Sequence, residues 1–156
     1  MKIRQAIATD SLLLSSLCVD VQRLHAEHHP DFFKIPQNDN FAVDFFDGVL
    51  ADPTTRIFIA EEKEEALGYI FCKLIDRPEN PFTFAVRYLH VDQFSVHPVA
   101  QGKGVGTQLI QRAIVLALEL NLQRIQLDSW GFNTDAHAFF EKMGFEKFNH
   151  RFWKNL

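Results

Sequence analysis

Gln101-Gly102-Lys103-Gly104-Val105-Gly106 sets three glycines and a lysine immediately before an apolar stretch with helical spacing. Glycine lacks a Cβ, so the backbone can turn sharply there and come close to a ligand. The first N–H groups of a following helix have no internal partner, and the helix dipole adds roughly half a positive charge at the same end. Together these features make a cradle for an anion, a diphosphate above all, that needs no ring of basic side chains.

Spacing excludes two other glycine loops. A nucleoside-triphosphate loop needs Ser or Thr directly after Gly-Lys, and here Gly104 follows Lys103. A dinucleotide fingerprint needs G-x-G-x-x-G near the first strand, whereas Gly102, Gly104 and Gly106 run G-x-G-x-G late in the chain. The arrangement Gln101-x-x-Gly104-x-Gly106, preceded by the strand Leu89–His97 and followed by a helix, resembles the GNAT superfamily of acetyl-CoA-dependent N-acetyltransferases. A second segment, Asn133-x-x-Ala136-x-x-Phe139-Phe140-Glu141-Lys142-x-Gly144-Phe145, is similar to that family's closing pattern, in which a helix flanks the thiol end of the coenzyme. The resemblance spans Ile3 to Trp153, and over the first third it lies in pattern alone.

The resemblance implies acetyl-CoA as co-substrate, with its diphosphate on the amides of Gln101 to Thr107, Val105 included. The pantetheine arm then lies in a wedge between splayed strands and pairs with the backbone of Phe94, Ser95 and Val96 as an added strand would. Asn133, Ala136, Phe139 and Phe140 flank it from the closing helix, where Asn133 is a helix cap and a pantetheine contact at once. By the same resemblance the N–H of Val96 stabilises the charge that develops on the acyl oxygen.

Acyl transfer needs a neutral amine. One with pKa about 10.4 is deprotonated about once in 2,500 at pH 7, a cost of roughly 4.6 kcal/mol that a base would lessen. Asp92 matches the place of an acidic residue in some family members, and His90 lies two residues earlier, carrying the side chain type that titrates nearest neutrality. Water alone is the third alternative. Phe140 stands where many members have a tyrosine that protonates the leaving thiolate. A thiol of pKa about 8.5 departs tolerably without help, roughly 2 kcal/mol from equilibrium at neutral pH. Tyr88 or a water is the substitute donor, and core packing is the simplest role for Phe140.

On the acceptor side, Glu27, Asp31, Phe32 and Phe33 fall where the family shapes its amine pocket, and acids beside rings suit a cationic amine. His25, His28 and His29 share this region, but Glu27 between them fits no zinc-protease spacing, so no metal is expected. The rival to an N-acetyltransferase acting on a small-molecule or peptide amine is a non-catalytic acyl-CoA sensing module.

The 156 residues suit one domain, 1–156, without linker or repeat. Net charge is -4 with Lys and Arg scattered, which argues against a nucleic-acid surface. No apolar run reaches the roughly 18 to 20 residues of a membrane span and no signal peptide is recognisable, so a cytoplasmic protein is expected. Cys18 and Cys72 are isolated thiols in apolar segments, and Phe148, Phe152 and Trp153 point to a homodimer.

The elements that must position these groups follow from periodicity. Strands are expected at 2–7, 56–60, 67–74, 84–96, 124–129 and 145–153. Helices are expected from a Thr9 or Asp10 cap to Pro30, over 41–50, over 105–120 with Ile110, Ile114 and Leu118 widening its apolar stripe, and from an Asn133 or Thr134 cap to a left-handed stop at Gly144. The fold class is mixed α/β: a mainly antiparallel, GNAT-like sheet with helices on both faces and splayed central strands.

Overall fold

A computed structural model describes residues 1–156. Five strands form one sheet in chain order: β1 (Lys2–Gln5), β2 (Thr55–Glu62), β3 (Glu65–Arg77), β4 (Val86–Val96) and β5 (Ile125–Leu127). The first three pairings are antiparallel and the last, β4 with β5, is parallel. The β2–β3 hairpin turns on Lys63 and Glu64, both at positive φ, 51° and 69°. Two such residues make the mirror-image turn that follows strand twist, so the charged run 61–65 lies at a solvated hairpin.

Helices cover both faces. Helices α1 (Ser11–His28) and α2 (Val43–Ala51) close one face around Leu14, Cys18, Phe46 and Tyr69. Helix α3 (Val105–Glu119) closes the other through Val105, Leu109, Ala113 and Leu116, and α4 (Thr134–Lys142) adds Phe140 to the same core.

Three expectations are corrected. Residues 145–153 form no strand. Alternation leaves neither face continuously apolar there, since Phe148, His150 and Phe152 oppose Phe145, Lys147, Asn149, Arg151 and Trp153. The three-residue β5 also offers little edge to pair with, and Trp153 packs instead on Trp130 and His29. Leu118 does not widen the α3 stripe: it is 67 % exposed, because 100° per residue carries it nearly opposite Val105, Leu116 and Leu120. Asp10 precedes α1 without capping it. Its carboxylate accepts from Arg4 at 2.7 and 2.9 Å and from the Ile7 N–H at 2.7 Å, tying the end of β1 to the first turn.

Candidate active site

Strand β4 is the axis of the site. Opposite β3 the register passes from Phe71↔Gln93 to Cys72↔Val91, so Asp92 is an extra residue, a β-bulge without a partner. A bulge bends its strand and re-aims side chains. Past it, the N–H of His97 donates to Leu67 at 2.9 Å. N–H directions alternate along an antiparallel strand, so the Val96 and Phe94 amides point away from β3. On that side β5 pairs with Leu89, His90 and Val91 alone, and the edge at Phe94–Val96 is left without a strand. The strands around the site therefore part beyond Val91.

The open edge runs into the glycine loop. The amides of Gly102, Gly104, Val105, Gly106 and Thr107 donate to no backbone carbonyl, whereas that of Lys103 reaches Ala100 at 3.4 Å. Gly102 and Gly104 sit at φ +74° and +82°, where L side chains are strained, and a Cβ on either meets nothing within 4 Å. Gly106 differs: a Cβ there would lie 3.1 Å from Phe94 Cζ and 3.2 Å from Phe139 Cζ, so its absence lets α3 start against the strand. Gln101 donates Nε2 to the Val96 carbonyl at 3.3 Å and ties the loop to the strand end.

From α4, Phe139 stacks on Phe94 with centroids 5.6 Å apart, and Phe140 packs edge-on between Phe139 and Phe145. Phe140 is buried in the α3-side core. Asn133 accepts from the Ala136 N–H at 3.2 Å and so caps α4. The Gly144 stop has φ +88°.

Asp92 is exposed, and His90 is half-buried with Nε2 3.8 Å from the Asp128 carboxylate beyond β5. Because the bulge falls at Asp92, simple alternation does not carry the face of His90 on to the residues beyond. Ser95 points to the α1 side and donates to the Leu17 carbonyl at 3.0 Å. Tyr88 lies six residues before Phe94, about 20 Å along the strand, so it does not replace a tyrosine at Phe140.

On the α1–α2 face a cavity of about 370 Å³ opens beside Gln93, lined by Cys18, Phe32, Phe33, Phe41 and Phe46 among others. Glu27 and Asp31 are exposed and do not line it. Tyr69 donates to Gln93 Oε1 at 2.7 Å. Burial pushes the Tyr69 hydroxyl well above its usual titration range, with Cys18 and the Asp92 carboxylate adding to the effect. His25 and His28 bond the Val21 and Leu24 carbonyls through Nδ1 and pack on Phe132. No group of His, Cys, Asp and Glu is arranged to hold a metal ion.

Sequence reasoning missed Gly68, Tyr69, Gln93 and Asp128. Only Gly68 carried a signal, since a glycine inside a strand often marks close backbone approach. Here its Cα faces Ser95 and Val96, leaving no space for a Cβ.

The chain overlays solved structures across its whole length. The tetramutant of the BH1408 protein from Bacillus halodurans matches with TM-score 0.93 at 20% identity, covering 100% of both chains. A transcriptional regulator from Bacillus halodurans C-125 matches at 0.75 and 22%, covering 99% of each. An aminoglycoside N-acetyltransferase in complex with CoA matches at 0.75 and 17%, covering 99% of this chain and 93% of its own. These identities speak to fold alone. The family model described as the Acetyltransferase (GNAT) family matches residues 20–145, and with a strand opened at Phe94–Val96 above unpaired loop amides, this chain belongs to that family.

Proposed function

We propose that the protein transfers an acetyl group from acetyl-CoA to a primary amine of a small molecule or peptide by direct attack. The observation that carries this reading is the continuity of the unpaired β4 edge at Phe94–Val96 with the unpaired amides of Gly102 and of Gly104 to Thr107. The edge suits the amides of a pantetheine arm and the loop suits a diphosphate. Four charge-assisted bonds of roughly 1.5 to 3 kcal/mol give about 6 to 12 kcal/mol before ordering costs, against about 8 for micromolar binding.

When bound, acetyl-CoA supplies the acetyl thioester. The amine nitrogen forms the C–N bond, the C–S bond breaks, and the sulfur keeps the electron pair and leaves as the thiolate, which water can protonate. The Val96 N–H, aimed into the wedge, stabilises the charge that grows on the acyl oxygen. Asp92, exposed at the bulge, takes the amine proton directly or through water, with His90 as the other candidate. Asn133, Ala136, Phe139 and Phe140 border the thiol end, and Phe32 and Phe33, which line the cavity, meet the acceptor, while exposed Glu27 and Asp31 lie outside that lining.

Free, buried Cys18 and Cys72 support a reducing, cytoplasmic setting, and no helix is long and apolar enough to cross a membrane. Exposed Phe148, Phe152 and Trp153 favour a homodimer.

Calorimetry with CoA, followed by thiol release across an amine panel, tests the proposal. Micromolar binding with turnover upholds it. Phe140, with no proton to give, favours a sensing module as the second reading, and tight CoA binding without turnover of any amine would establish that reading. Absence of CoA binding at millimolar concentration defeats both.

A further inference from the structure

We infer that the acceptor is a monoamine carried on an uncharged, aromatic or similarly apolar body, seated in the cavity between α1, α2 and β4. This rests on the proposed acetyl transfer and names its substrate class. Seven of the ten residues lining the cavity are hydrophobic, and no carboxylate is among them. The one ionisable cation in the lining is Lys34, which repels a polycation rather than pairing with it. About 370 Å³ is the size of a small-molecule site.

The cavity meets the reaction centre at Gln93, between bulged Asp92 and Phe94 at the open edge. Tyr69 donates to Gln93 Oε1, which fixes the amide and leaves Nε2 free to donate toward the cavity. The other glutamine in the lining, Gln22, spends its Nε2 on the Lys34 carbonyl at 2.7 Å. One oriented polar group in an apolar wall positions a ligand without selecting for charge.

The chemistry favours the same class. An apolar wall penalises the ammonium form and so raises the fraction of neutral amine that can attack the thioester. A single amine incurs that penalty once and then loses its proton to the base as the C–N bond forms and the thiolate departs. A polyamine or aminoglycoside brings further ammonium groups that the cavity leaves unpaired.

The test measures thiol release from acetyl-CoA with phenethylamine and tryptamine against spermidine and kanamycin, with CoA affinity measured separately. The expected kcat/KM is at least about ten-fold higher for the arylalkylamines, since each further ammonium group loses water against an apolar lining that offers it no carboxylate. Phe45→Lys, at a lining position that is 48 % exposed and so tolerant of change, should raise the phenethylamine KM about ten-fold while CoA affinity holds, since it removes apolar wall and repels an ammonium group. Equal or better use of the polycations, or indifference of the phenethylamine KM to Phe45→Lys in a variant that melts like the parent, overturns this inference and leaves acetyl transfer standing. CoA binding with no amine turned over defeats both this inference and the transferase reading.

Discussion

The Ser95 carbonyl oxygen occupies the place where a side chain on Gly68 would begin, with the Val96 Cα 3.0 Å from the same point. Strand β3 thus presses bare backbone against the stretch of β4 that is open on its other side. Backbone cannot swing aside as a flexible side chain can. Gly68→Ala should displace Ser95 and Val96, destabilise the fold by roughly 1–3 kcal/mol and weaken CoA binding as well. Thermal melts and CoA titration check this, and a variant that keeps both parent values would show that the close approach does not matter.

Gly104 and Lys103 separate backbone from side-chain contributions to the anion cradle. At φ +82° a β-branched side chain is strained, and the Cβ would stand in open space where the diphosphate is proposed to lie. Gly104→Val should weaken CoA binding by about 30-fold or more, whereas Lys103→Ala, losing one exposed charge, should cost about five-fold at most. Equal losses by calorimetry would contradict the backbone account.

Asp92 and His90 are distinguished by kinetics. With Asp92 as base, Asp92→Asn lowers kcat by about 10²- to 10⁴-fold and leaves CoA affinity near the parent value, while His90→Gln changes kcat by less than about five-fold. The reverse pattern transfers the role to His90 and its Asp128 neighbour, 3.8 Å away. Small effects from both variants leave water as the base.

The Arg4–Asp10 pair predicts a pH dependence of stability. The Arg4 guanidinium, with the Ile7 N–H, holds the Asp10 carboxyl below the usual carboxylate range. A depressed folded value means the contribution is present above the unfolded value of about 3.9 and is lost as pH falls through the folded value. Asp10→Asn should therefore cost roughly 1–3 kcal/mol at pH 7 and much less near pH 2. Urea midpoints at the two pH values check the sign.

What the sequence disclosed was local in origin. The loop and the stop of α4 each demand glycine at positive φ, and Gly102, Gly104 and Gly144 meet that demand from within a few residues. Helix α3 likewise showed through its own periodicity, apart from Leu118. The bulge at Asp92 was hidden because register belongs to a pair of strands and not to either one. The cavity beside Gln93 was hidden for a related reason: Cys18, Phe33, Phe46 and Gln93 meet only after α1, α2 and β4 have packed. Residues 145–153 misled because aromatic content imitates a strand, although the alternation is missing.

Strand β5 joins its neighbour over only three residues, Ile125, Gln126 and Leu127. If a pantetheine arm lies along the remainder, the substrate itself becomes a temporary sixth member of the sheet, lengthening a seam that the polypeptide leaves short. The loaded protein should then melt higher than the bare one and exchange its Phe94 and Val96 amide hydrogens more slowly, so that each turnover is also a cycle of stiffening and release.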